Sequence, residues 1–563
     1  MERRALVAIA LSIAVLLIFR YVEEWRTGDR ARVRPPVHKS TPPAPPFVPA
    51  VGASAAPPQP EAQPAAQAVS RDTVASAHPI VVDGDLYRAV LDNRGGLLTS
   101  WVLKKYKSGK GEVFEIIAVR SPESRPYPGA LVLDDPVLNW QANGGYYDVE
   151  IEGRRSAGET LTPPATVNLR LRRGELRIEK RYRFERDNYL VDFSATVERG
   201  GRPLPARVVL GEDIGPEYEH LVNPSVQLQA VSKRADKVHR DGPPKNENEV
   251  VKIEGVITWV GLDTHYFSVI AIPPSPITAF EIQRKAVQTV GLDGKEVSRN
   301  LMPLTLPVSG SAELRIFMGP KAQDVLDNVK GANLTDVIDF GMFSFIVRPL
   351  LFSLKWIDGY VHNYGASIII LTLLLTVLLF PFRLKQILSM KKMAVVQPKI
   401  KEIQEKYKRY KKTDPRRTDM NQEIMAVYKE HNVNPLGGCL PLLLQMPLLF
   451  AFYQLLASSI ELRQAPFVGW LQDLSVKDPY YVLPVIMGVT MLISQRMTPM
   501  TPGSDPMQAK MMMMMPAVFT LMFLNVSSGL NLYFLCSNIF QIGFQKLAER
   551  WIGDGRTVGK AKA

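Results

Sequence analysis

From Ser367 onward the chain carries five apolar stretches, Ser367 to Phe382, Leu436 to Ile460, Tyr481 to Gln495, Met511 to Val526 and Gly529 to Gln545, with no Asp, Glu, Lys or Arg in their central portions. Such runs predict membrane-spanning helices, and their flanks extend those shorter than the ~20 residues that cross a ~30 Å hydrocarbon core. Another apolar run, Ala5 to Phe19, follows Arg3 and Arg4. Bulky Phe19, Arg20, Tyr21 and Val22 stand where a small-residue cleavage site would be needed, so this run reads as a retained anchor, residues 1–22, rather than a removed signal. Six spans are the expectation for the 563-residue chain.

The formal charge of +13 could serve nucleic acid or anionic lipid, and its placement decides. Base concentrates between the second and third spans, where Lys401, Lys406, Lys408, Arg409, Lys411 and Lys412 are candidate docking residues. By the positive-inside rule this stretch is cytoplasmic, which puts both termini inside and the region before the second span outside. Within it Ile400, Ile403, Tyr407 and Tyr410 recur at helical spacing, Asp414-Pro415 interrupts, and Ile424, Val427 and Tyr428 resume. That pattern predicts a helical hairpin over 384–432, whose basic face is either simply solvated or a dock for ribosomal RNA, acidic protein or lipid headgroups. A basic cytoplasmic tail, 551–563, ends the chain.

The polar half divides at its composition. Residues 23–77 are a linker, rich in Pro, Ala and Gln from Pro35 to Pro64, which has little to bury. From 78 to 320, period-two runs such as Leu176, Ile178, Tyr182 and Phe184 alternate with turn residues such as Asn93-Arg94-Gly95-Gly96 and predict an antiparallel β-sandwich. Residues 334–356 then read as an amphipathic helix on a membrane surface, with Val337, Ile338, Phe340, Ile346 and Leu350 as its apolar positions. Asp213, Asp263 and His265 sit in no catalytic motif, the two cysteines lie in apolar runs, and histidine shows no ligand spacing. Neither an enzyme, a metal nor a cofactor is expected.

Ion-coupled pumps place ionisable side chains within the bilayer, and these spans instead hold uncharged polar groups: Thr372, Thr376, Gln445, Asn531 and Asn538. Each can be packing glue between helices. Together they suit a wet, neutral groove that shelters the polar flank of a passing segment. The methionines Met507 and Met511 to Met515 either begin a helix or offer a pliable apolar surface.

The run Asn434-Pro435-Leu436-Gly437-Gly438-Cys439-Leu440-Pro441, with Gln445-Met446-Pro447, Glu461-Leu462-Arg463-Gln464-Ala465-Pro466-Phe467, Asp478-Pro479-Tyr480-Tyr481 and Gly488-Val489-Thr490-Met491, resembles the YidC/Oxa insertase family over about Leu334 to Arg550. The resemblance implies a membrane α-helical fold with a five-helix core, 357–550, and a groove open to lipid and cytoplasm, plus a periplasmic β-sandwich similar to mutarotase-like folds. It implies an insertase and chaperone of the bacterial inner membrane, with nascent membrane proteins, the ribosome, the Sec translocon and lipids as partners. Its groove residues map onto Thr372, Tyr533 and Phe534. Family members usually carry a basic residue one turn beyond that threonine, where this chain has Thr376.

Overall fold

In Leu176–Phe184 every second residue is buried, so that Leu176, Ile178, Lys180, Tyr182 and Phe184 face one core. The computed structural model describes residues 78–108, 111–117, 127–155, 160–215, 228–290, 296–408, 410, 414–431, 440–497 and 506–552. The expected anchor and linker, residues 553–563 of the expected basic tail, and Asn434 to Cys439, Arg409, Lys411 and Lys412 lie outside the described residues, while Trp551 and Ile552 end the last helix.

The strands build one 18-stranded sheet and a separate hairpin. A continuous antiparallel run passes through Asp148–Arg155, Leu161–Arg173, Leu176–Phe184, Leu190–Arg199, Ser311–Pro320, Phe267–Ile272 and Val250–Asp263. The last of these is long enough to serve three partners: its C-terminal half pairs with Phe267–Ile272 and with Gln229–Arg234, and its N-terminal half with Ile277–Gln283. Between Glu254 and Ile257 the register with Ile277–Gln283 shifts, and Gly255 at φ +152° supplies the backbone freedom there. The sheet departs from a purely antiparallel pattern at the parallel contact of Val82 with Leu161.

At the centre of this domain Trp101 is fully buried, stacks on Tyr87 at 4.2 Å and donates its indole N–H to Met318 O at 2.8 Å. Lys180 is a charged residue buried in this core. Its Nζ donates to Gly95 O at 2.6 Å and Gly129 O at 2.8 Å, and burial pushes its pKa down to about 7. Among the described residues the domain carries two short helices, α1 (Pro136–Gly144), N-capped by Asp135, and α2 (Gln323–Asp327).

Beyond α2 the surface helix begins later than the sequence pattern suggests. Leu334–Val337 is a 3₁₀ turn, Gly341 at φ +64° interrupts the chain, and α3 runs Ser344–Val361. Val337, Ile338, Phe340 and Leu350 are buried against the protein, whereas Phe345, Phe352, Trp356 and Tyr360 point out. Of the apolar positions expected from periodicity, Ile346 and Leu350 lie on α3 while Val337, Ile338 and Phe340 precede it; the exposed aromatic face escapes a search for one apolar stripe because this helix is apolar on both sides.

The remaining helices are α4 (Tyr364–Lys406), α5 (Arg416–Glu430), α6 (Leu440–Ser458), α7 (Val482–Met497), α8 (Pro506–Phe523) and α9 (Ser528–Ile552). Within α4, Tyr364–Leu384 is long and apolar enough to cross a membrane, with mean hydropathy 2.4; Met446–Ser458, Val482–Met497 and Met513–Phe523 are shorter apolar pieces. The same helix continues past Pro381 and Pro398 and turns back through α5. This hairpin has its own small core of Met393, Val396, Ile400, Met420, Ile424 and Tyr428.

Polar contacts lock the sheet domain onto the helices. Lys355 of α3 bridges Asp324 of α2 at 2.9 Å and Glu461 at 3.2 Å, and Gln454 of α6 donates to Asp339 O at 2.7 Å. Arg463, just after α6, donates to Lys107 O at 2.7 Å and lies 5.2 Å from the ring centres of both Phe114 and Phe267. His265 Nε2 bonds Ala457 O, and neighbouring Asp263 pairs with Lys321 at 3.0 Å. Asp263 and His265, weighed above as catalytic groups, thus sit in this junction, while Asp213 accepts from Ile214 N.

Candidate functional site: a polar row in the helical bundle

Helices α4 and α9 run the same way, since the open Cα of Gly529 faces Ile368 near their starts and Phe380 meets Phe544 at 5.0 Å further along. Thr372 and Thr376 are both buried on α4, one turn apart. Each hydroxyl donates back along its own helix, Thr372 to Ile368 O at 2.6 Å and Thr376 to Thr372 O at 2.7 Å. A threonine bonded this way needs no partner on another helix, and its oxygen keeps acceptor capacity.

Asn531 of α9 has a different duty. Fully buried, it donates Nδ2 to Val526 O at 3.1 Å and Phe523 O at 3.2 Å, satisfying carbonyls at the end of α8. Its Oδ1 has no hydrogen-bond partner. Tyr533 is buried with its ring stacked on Phe452 of α6, and half-buried Phe534 meets Phe523 edge-on at 4.8 Å. Asn538 is half-buried one turn beyond Phe534, and beside it Gln541 donates to Ser537 Oγ at 3.0 Å. Of Gln445 only the backbone, within α6, is described.

The bundle also uses two residues that the sequence pattern does not single out, Phe452 and Phe523, which hold the aromatic pair. Arg383, which the sequence places near one end of the region and does not by itself make a substitute for the usual groove base, brings its guanidinium within electrostatic reach of the Tyr533 hydroxyl. The available signal was spacing: Arg383 lies seven residues after Thr376 and therefore on the same helical face. Between Thr372 and Thr376 themselves only Leu373, Leu374 and Leu375 intervene.

On the hairpin the candidate docking residues fall into two groups. Lys401 and Lys408 are exposed, whereas Lys406 pairs with Glu423 at 2.9 Å, a carboxylate that also accepts from Tyr407 Oη at 2.8 Å. Lys399, not singled out above, contacts His431 Nε2 at 3.0 Å. No cluster of His, Cys, Asp and Glu suited to a metal ion occurs among the described residues.

Residues 356–554 match the family described as 60Kd inner membrane protein, and residues 79–353 match that described as YidC periplasmic domain. A membrane protein insertase YidC of Syntrophus aciditrophicus is 35% identical over 97% of this chain and 99% of its own length. One from Geotalea daltonii is 36% identical over 97% of this chain and 98% of its own. Among solved structures, YidC from Thermotoga maritima is 13% identical, with a TM-score of 0.31, over 84% of this chain and 98% of that one. The assignment rests on the sequence relatives: the chain belongs to the YidC family of membrane protein insertases.

Proposed function

We propose that this protein inserts nascent hydrophobic segments into the bacterial inner membrane and shelters them while they fold. The observation that carries the mechanism is the set of buried, uncharged polar side chains on α4 and α9, Thr372, Thr376 and Asn531. A translocated tail brings unpaired polar groups into hydrocarbon at a cost of several kcal/mol each. The threonine hydroxyls keep acceptor capacity that offers that tail, and water accompanying it, hydrogen bonds without presenting a fixed charge, while Asn531 braces the wall beside them.

In this reading α4 and α6 to α9 are five spans, the N-terminal apolar run is a sixth, both termini are cytoplasmic and the sheet domain is periplasmic. Lys401 and Lys408 on the hairpin meet the ribosome or lipid headgroups before a client reaches the groove, and the Sec translocon hands over other clients. Gln445, Tyr533, Phe534 and Asn538 complete the groove lining. No step makes or breaks a covalent bond.

The test is site-specific photocrosslinking from Thr372, Thr376 and Phe534 to a stalled nascent chain. Adducts at these positions are expected. Absence at all three, with strong adducts from the sheet domain, would overturn the groove.

A further inference from the structure

The outer face of the sheet domain holds a cavity of about 720 Å³ in which the strands set charges in register. Across Leu176–Phe184, Leu190–Arg199 and Ser311–Pro320, one row reads Arg183, Asp192, Arg315 and the next reads Arg181, Ser194, Glu313. Neighbours directly opposite on one face lie close enough to pair. Yet Asp192 closes no ion pair with either flanking arginine, and its Oδ1 is buried without a hydrogen-bond partner.

The other cations of the cavity are already engaged. Lys233 pairs with Asp336 at 3.0 Å, and Arg315 donates to Lys330 O at 3.1 Å. Among the described residues Arg181 and Arg183 close no ion pair, which leaves two guanidinium forks on the cavity wall beside an acceptor that lacks a donor. The lining also includes Pro273, Pro274 and the Gly331 to Asn333 connection, which leads through Leu334–Val337 toward α3. The cavity therefore borders the segment that joins the sheet domain to the helices.

The geometry points to a binding site for an acidic stretch of polypeptide, whose carboxylates meet the guanidinium groups of Arg181 and Arg183 on the cavity wall. The source that fits is a client segment after translocation. Segments that cross to this side are poor in Lys and Arg by the positive-inside rule, so the charge they retain is predominantly acidic. Arginine forks suit carboxylates bidentately. This assignment rests on the insertase reading above and gives the sheet domain a receiving role at the exit.

A photoreactive residue at Ser194, inside the cavity, and one at Arg177, on the same strand face outside it, test the site in the full-length protein during insertion of a client with an acidic translocated tail. The expected result is an adduct from Ser194 and not from Arg177, reduced at least tenfold when the tail acids are made neutral or when Arg181→Glu and Arg183→Glu are combined. Insertion itself should proceed normally in that double variant, so a defect in the helical groove is scored separately. Equal adducts with acidic and neutral tails, no tail adduct, or adducts to lipid alone overturn the proposal.

Discussion

The Tyr533 ring lies stacked on Phe452, centroids 4.1 Å apart and planes 9° from parallel, and this contact ties α9 to α6 within the bundle. Tyr533→Phe keeps the stack and is expected to leave thermal stability near wild type. Tyr533→Ala removes a buried ring and should cost about 3 kcal/mol. Thermal unfolding in detergent distinguishes them; a Phe variant as unstable as the Ala variant would show that the hydroxyl beside Arg383, not the ring, holds the helices.

The polar row separates into residues that brace and residues left over for a client. Asn531→Leu deprives the carbonyls of Phe523 and Val526 of their donor and should destabilise by about 1–3 kcal/mol, affecting every client alike. Thr372→Val with Thr376→Val deletes only bonds within α4, so melting should shift little while clients with polar tails insert more slowly than purely apolar ones. Equal slowing of both client types in the threonine pair would reduce these hydroxyls to packing.

Close backbone approach makes Gly488 a sensitive position. A Cβ there would stand 2.1 Å from Thr520 Oγ1, so Gly488→Ala forces α7 and α8 apart and should cost about 1–3 kcal/mol. Adding Thr520→Ala removes the clashing oxygen and leaves the Cβ at 3.3 Å. Most of the loss should then return in a double-mutant cycle, and strict additivity would contradict the contact.

Lys180 gives the sheet domain a pH dependence of definite sign. Its pKa is about 7 in the fold and the ordinary ~10.4 in the unfolded chain, so folding releases a proton between those values. Stability should climb as pH rises from about 7 toward about 10, with the full burial penalty present below that window. Lys180→Met should remove this slope from melting temperatures measured across the range, whereas an identical slope in the variant would exclude Lys180 as its source.

On the hairpin, Lys401→Glu combined with Lys408→Glu reverses two exposed charges that take no part in its core. Co-sedimentation with ribosomes or anionic vesicles should weaken in this variant, and in wild type as salt shortens the screening length below about 8 Å. Circular dichroism should stay unchanged. Salt-insensitive binding would leave these lysines merely solvated.

The class of the protein is legible in its residues alone, because hydrophobic length and period-two alternation are local properties that the chain displays wherever it folds. Uncharged runs such as Ser367 to Phe382 declare a membrane helix, and Leu176 to Phe184 declares a strand, without reference to any distant residue. Tertiary structure decided the rest. Trp101 bonds Met318 across 217 residues, and Gln464 reaches Lys107 across 357, contacts that no window of sequence can display. The same holds for single residues with ambiguous roles. Asn531 looks like any groove amide until the carbonyls of α8 are seen against it, and Lys180 occupies an inward strand position that alternation alone assigns to an apolar side chain. Charge followed the same division: its density along the chain placed the basic hairpin, but pairing depends on three-dimensional neighbours, which is why Lys406 meets Glu423 while Arg181 and Arg183 stand ready for a ligand.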